Sequence, residues 1–379
     1  MMSGEFLFLV LLAVHAVSAC KGASTLLRQL LPGSTPMVEV KINGVPRQLL
    51  LDSGSADTYL FTDEVTCLDG NVSVPSTVCQ LGDLYGGAIT PLDGLIFRQV
   101  YGGPGSLTEV SGVYAYATVE VAGVVLDKQI VAFANRTDTG QIHTGASGIL
   151  GLAPRRDEAI YSTENPPRNS SNAYNVSLDY PTVFESMDAR QLVEPFFSIA
   201  MENAVRGGYL TFGGLPEISF NRTFATAPLA SPIDESRQYQ IGVDSLNLVG
   251  NVSNNTFTAI VDTGTTVCFL PEQLATAINR AFDPPGEYDN QTGQFETSCT
   301  AAQPKVEATI GGVRFPFTQS MLVPKNFSDL SQGCTSMYAP QQPGGVIILG
   351  SSFLNNVVAV FDVGKEEMRF ARHDYAALV

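Results

Sequence analysis

Histidine is nearly absent from this 379-residue chain: there are 3, and only His143 and His373 lie beyond its apolar leader. A serine hydrolase needs a usable histidine and often a Gly-X-Ser-X-Gly turn; that motif is missing and neither histidine sits in a catalytic-looking context. His-Glu-X-X-His, Walker, dinucleotide and Cys-X-X-Cys motifs are missing too, so neither a metal nor an organic cofactor is expected. Positive charge is also scarce. The 21 Lys and Arg face 37 Asp and Glu, and the resulting net charge of -16 would repel the phosphates of nucleic acid or an anionic membrane. No apolar run is long. Phe6 to Val14 is too short to span a bilayer, and Ala371 to Val379 lacks the tail of a lipid-anchor signal, so no stable membrane anchor is expected. With 44% hydrophobic and only 15% charged residues, the chain can bury one large or two medium globular cores.

What is present points to the secretory route. The apolar run is followed by Val17, Ser18 and Ala19, small residues that suit cleavage before Cys20, so residues 1–19 read as a signal peptide. Val17-Ser18-Ala19-Cys20 also fits a bacterial lipoprotein signal, against which stands the absence of Lys and Arg before the apolar run. Asn-X-Ser/Thr sequons begin at Asn71, Asn135, Asn169, Asn175, Asn221, Asn251, Asn254, Asn290 and Asn326, and nine of them favour a glycoprotein. In an oxidising compartment Cys67 and Cys79 would close a small loop and Cys299 and Cys334 a longer one. Cys268, inside an apolar run, reads as a buried free thiol.

Short β-branched and aromatic runs recur between Gly, Pro and Asn: Met37 to Ile42, Gln48 to Leu51, Gly112 to Val125, Phe197 to Met201, Tyr209 to Phe212 and Val357 to Phe361. The fold class is therefore mostly β, with Ala122-Gly123 as a hairpin turn. Two helical patches, Pro181 to Leu192 and Pro271 to Phe282, place proline where a first helical turn accepts it and would brace the sheets. One repeat has a very long period. Leu49-Leu50-Leu51-Asp52-Ser53-Gly54-Ser55 returns in type 210 residues later as Ala259-Ile260-Val261-Asp262-Thr263-Gly264-Thr265. Each copy is followed by an apolar pair ending in glycine, Ile149-Leu150-Gly151 and Ile348-Leu349-Gly350. The chain thus divides into a short segment 20–36 and two related lobes, 37–192 and 193–379.

A carboxylate set after an apolar strand and before glycine emerges at a strand end, in a tight turn and a largely dry setting. One such Asp is usually a structural Asx-turn. Two, in equivalent places of duplicated lobes, would meet face to face across the interface. Both cannot easily ionise there, so they would share one proton, one taking a proton from water while the other donates to a scissile carbonyl.

These residues resemble the pepsin-like aspartic endopeptidases, particularly the fungal secreted branch, over roughly Met37 to Arg372. The resemblance implies a bilobal fold with a cleft between the lobes and catalysis by Asp52 and Asp262. It implies that Ser53 and Thr263 cross-brace the two loops, that Ser55 and Thr265 hydrogen-bond the aspartates, and that Gly54 and Gly264 complete the triplets. Tyr101-Gly102-Gly103-Pro104-Gly105-Ser106 is similar to the family's flap, with Tyr101 closing over substrate and Tyr85-Gly86-Gly87 as the other candidate. Leu50, Ile149 and Tyr101 would line an apolar pocket, although core packing alone also accounts for the first two. The family's tryptophan beyond the first triplet is replaced here by Tyr59, a phenol that can still donate a hydrogen bond. Little room for an inhibitory prosegment is left between Ala19 and the first strands. The partner implied is a polypeptide substrate, met by a secreted monomer, with vacuolar residence as the other location. A silent relative that binds or inhibits and a purely structural β-protein are the competing readings; the intact Asp52 and Asp262 speak against the first and the duplicated triplets against the second.

Overall fold

The computed structural model describes residues 22–29, 35–102, 107–139, 145–155, 160–161, 180–201, 207–235, 238–249, 255–318, 320–326 and 328–373. The signal segment, Cys20 and the sequons at Asn169, Asn175, Asn251 and Asn254 lie outside them.

The chain is mostly strand. A large sheet runs through both halves, with Val45–Asp52, Met37–Ile42, Ala23–Arg28, Gly208–Phe212, Phe196–Met201, Val357–Asp362 and Glu367–Arg372 side by side. Ala23–Arg28, which lies ahead of the first lobe, is the seam: it pairs antiparallel with Met37–Ile42 through Leu27 and Val38, and with Gly208–Phe212 through Ala23 and Phe212. Strands from the two halves therefore share one hydrogen-bonded ladder, whose inward residues Val38, Val40, Leu49, Leu51, Phe197 and Phe361 are almost fully buried. Alternation along Met37–Ile42 shows why: Val38, Val40 and Ile42 are at 0% exposure while Glu39 and Lys41 turn outward, as a period of two requires.

Local chemistry sets the connections. Thr108–Val121 turns into Val124–Asp138 through Ala122 and Gly123 at φ 52° and 79°, the left-handed pair a two-residue hairpin needs. Both helices occur, shorter than expected, as Val183–Ala189 and Glu272–Arg280. Their prolines lie outside the first turn. Thr182 caps the first helix, its hydroxyl accepting from the Glu185 N–H while the Glu185 carboxylate accepts from the Thr182 N–H, which puts Pro181 one residue ahead of the cap and two ahead of the first turn. Pro271, at ψ 133°, is itself the N-cap of the second. Replacing Thr182 by Ala removes one side of this capping box and is expected to cost about 1 kcal/mol of stability, read as a lower melting temperature in calorimetry.

Cys67 is bonded to Cys79 and Cys299 to Cys334, while Cys268 is free and buried. Of the described sequons, Asn71, Asn135, Asn221 and Asn290 are exposed and Asn326 is half-buried. No described helix is long and apolar enough to cross a membrane.

Candidate active site

Two strands deliver the aspartates by the same local rule. Val45–Asp52 runs parallel to Gly148–Gly151, pairing Leu50 with Ile149 and Asp52 with Gly151; Phe257–Val261 runs parallel to Ile348–Leu349, pairing Val261 with Leu349. Each apolar strand is paired along both edges, the first also with Met37–Ile42 and the second also with Gln240–Val243, so the Asp at its end is held in place as the backbone turns away. A Cβ on Gly151 would come within 2.5 Å of the Ala56 carbonyl carbon, and one on Gly350 within 2.5 Å of the Thr265 oxygen, so bulk is excluded where these segments thread beneath the turns.

The turns satisfy their carboxyl groups identically. Asp52 accepts from Gly54 N–H at 2.8 Å and from Ser55 Oγ at 2.5 Å; Asp262 accepts from Gly264 N–H at 2.7 Å and from Thr265 Oγ1 at 2.5 Å. Between them the loops are laced together. Ser53 N–H donates to Thr263 Oγ1 at 2.9 Å and Thr263 N–H to Ser53 Oγ at 3.0 Å, while Ser53 Oγ donates to Val261 O and Thr263 Oγ1 to Leu51 O. All four bonds are buried, where an unmade bond would be costly. The lace fixes the two turns against each other.

Each carboxyl group consequently lies over the other lobe's glycine. A Cβ on Gly54 would fall 2.6 Å from Asp262 Cγ, and one on Gly264 would fall 2.6 Å from Asp52 Cγ. The residues are 6% and 8% exposed, so little water screens them. Burial first, and then the charge of Asp262, push the Asp52 carboxyl well above its ordinary 3.8. A neutral, protonated form is thereby held beside a second carboxyl group at a pH where an exposed aspartate would be ionised.

That shift has a consequence for stability. With the folded acid weaker than the unfolded one, the unfolded chain releases its proton first as pH rises, so the contribution is complete below the unfolded value and declines above it. The Asp52 contribution to stability is expected to fall as pH rises from about 4, the ordinary aspartate range, toward about 8, and Asp52→Asn should remove that component from urea-unfolding midpoints measured across pH.

The other predicted residues converge on the first lobe's side of the dyad. Tyr101 ends the strand Pro91–Tyr101, opposite Thr108 on the return strand, and Gly102 follows at φ 91° as the chain enters the hairpin tip. Gly103 to Ser106 lie outside the described residues. The Tyr101 ring stands 6.3 Å from that of Tyr59, and its hydroxyl is enclosed by Tyr59, Ser55 and the Asp52 carboxyl without a hydrogen bond of ordinary geometry to any of them. Burial pushes both phenols up, so they stay protonated. Tyr85 is elsewhere, packed on Phe133 with its hydroxyl accepting from Asn43 Nδ2. Leu50 and Ile149 are 5% and 4% exposed and pack in one apolar cluster with Tyr59 and Phe97, against which Tyr101 rests. From the second lobe, Gln238 Nε2 donates to Gly54 O at 3.3 Å and Tyr239 Oη to Leu152 O at 2.9 Å, interlobe contacts that no motif announced. Among the described residues no cluster of His, Cys, Asp and Glu could hold a metal.

The family model described as eukaryotic aspartyl protease matches residues 37–373. The chain belongs to that family. Within the eukaryotic aspartyl proteases it is 29% identical to a probable aspartic-type endopeptidase of Aspergillus fumigatus, over 95% of this chain and 83% of the relative. It is 31% identical to pepsin A of Suncus murinus over 71% of this chain and 64% of that one. The crystal structure of an aspartic proteinase from Irpex lacteus superposes with a TM-score of 0.72 at 19% identity, covering 93% of this chain and 98% of the other, and so shares the bilobal pepsin-like fold of this aspartyl protease.

Proposed function

We propose that this peptidase is a secreted endopeptidase that cuts polypeptides at acid pH with a water activated between Asp52 and Asp262. The observation that carries the reading is the reciprocal packing of the two carboxyl groups, each over the other's glycine, in a site built from hydroxyl and N–H donors.

The chemistry follows from one proton shared by two acids. The ionised carboxylate accepts a proton from water as its oxygen adds to the scissile carbonyl carbon; the protonated partner donates to the carbonyl oxygen, giving a tetrahedral diol. Collapse breaks the C–N bond, with the proton just taken from water passing to the departing amine, and the proton on the diol returns to the dyad. No covalent enzyme intermediate forms. Ser55 and Thr265 orient the acids, and the raised Asp52 value supports operation at a pH where one proton is retained. Tyr101 and Gly102 would close over the peptide, and Leu50 and Ile149 would back an apolar subsite beneath Tyr101. Disulfides, surface sequons and the leader-like start support secretion and glycosylation. The large acidic excess fits the same setting, since self-repulsion falls as carboxylates are neutralised.

Incubation of the purified chain with a peptide library near pH 4 and near pH 7, with and without a statine-type mimic of the diol, tests the proposal. Inhibitable cleavage within peptides, faster at the lower pH, is expected. Tight binding of the mimic with no cleavage at either pH would favour a silent binding protein on the same fold.

A further inference from the structure

Among the described residues the most deeply buried carboxyl group is one that the dyad chemistry does not use. Asp57 lies in the loop that carries Asp52 and Ser55 and is 1% exposed. Its Oδ1 accepts from Tyr114 Oη at 2.7 Å and from Tyr180 Oη at 2.5 Å. The three residues come from separate parts of the chain. Tyr114 belongs to Thr108–Val121, the return strand of the hairpin whose other strand ends at Tyr101, and Tyr180 lies two residues before the cap Thr182.

From Tyr114 a run of rings leads back to the dyad. Tyr114 meets Phe97 edge-on at 5.7 Å, Phe97 packs on Tyr59 at 5.2 Å, and Tyr59 faces Tyr101 at 6.3 Å. Chain connectivity from Asp57 to Tyr59 closes the circuit. Among the described residues the Tyr101 hydroxyl has no hydrogen bond of ordinary geometry, so the ring's place is set by this packing and by the strand pairing.

Stability alone is a poor account of such a group. A carboxyl group buried beside an apolar cluster is costly, and apolar side chains of similar volume usually serve stability as well or better. What the arrangement supplies is direction: two short phenol-to-carboxyl bonds on one oxygen fix where the hairpin's return strand stands relative to the catalytic loop. The Asp57 charge also reaches Tyr101, adding to the effects that keep that phenol protonated.

We propose that Asp57 is a positioning residue that, through Tyr114 and Tyr180, holds the flap hairpin and Tyr101 in register over Asp52, and so governs how tightly the peptide is held. The inference rests on the dyad reading above. It separates binding from chemistry, because the two hydrogen bonds that fix Asp57 run to Tyr114 and Tyr180.

The test uses the full chain as wild type, Asp57→Asn, Tyr114→Phe and the double variant. Active sites are titrated with the statine-type mimic, and KM, kcat per titrated site and the mimic's Kd are measured. Each single variant is expected to raise KM and Kd about tenfold, the scale of one buried hydrogen bond to a charged group, with kcat per site within about twofold. The double variant should be little worse than either single, as members of one network couple. Tyr114→Phe leaves Asp57 bonded to Tyr180, so it answers even where Asp57→Asn folds poorly. Fewer titratable sites or a lower melting temperature, with per-site KM and Kd as in wild type, would overturn the inference while leaving the dyad reading intact. A wild type without inhibitable cleavage would overturn both.

Discussion

Asp52→Asn and Asp262→Asn are each expected to lower kcat at least about 10³-fold, because each removes one of two roles that a single shared proton links. Asparagine preserves shape and can still accept the Ser55 or Thr265 hydroxyl, yet it cannot exchange a proton with water. The double variant should be little worse than either single, since groups acting as one unit are not additive. Folding should survive. Removing one acid takes away a buried like-charge neighbour, so neither single variant is expected to melt below wild type near neutral pH. Initial rates on a cleaved library peptide, with melting curves alongside, check both halves. Activity within tenfold of wild type in either variant would place the chemistry elsewhere.

Gly264→Ala carries the second large effect, and for a steric reason. The added methyl would fall 2.6 Å from Asp52 Cγ, inside any real carbon contact, so either the second loop or the Asp52 carboxyl must shift. Displacements of that order cost roughly 10²-fold in rate when reacting groups are held at near-attack distance. Gly242 provides the control: its Cβ position has nothing within 4 Å, so Gly242→Ala tests the loss of a glycine without the intrusion. A loss in kcat/KM of about 100-fold for Gly264→Ala, with Gly242→Ala near wild type, is expected; equal effects would remove the steric argument.

The dyad was the most legible part of the molecule because its parts are contiguous. Strand, acid, hydroxyl and glycine stand within seven residues, and the second copy announces the symmetry that brings the carboxyl groups together. Tyr101 could be preferred over Tyr85 for a related reason, since a long strand pattern follows it at hairpin distance. The Asp57 network left no such trace. Its bonds join residues 57 and 123 positions apart, and an aspartate followed by Thr58 and Tyr59 reads as an ordinary loop acid. The role of Ala23–Arg28 was hidden likewise: its burial alternates, but the order Ala-Ser-Thr-Leu-Leu-Arg does not alternate apolar with polar, and its place is decided by open strand edges in both halves. Helix starts were misplaced by one or two residues because proline suits several positions near a cap, and the Thr182 and Glu185 exchange selects one of them.

A crystal structure with a statine-type peptide bound is the most direct measurement of the central claim, the bridging of one hydroxyl by two acids. The inhibitor hydroxyl should lie within hydrogen-bonding distance of both the Asp52 and the Asp262 carboxyl groups, with Tyr101 folded over the backbone beside it. An inhibitor whose hydroxyl touches only one of the two, or neither, would contradict it.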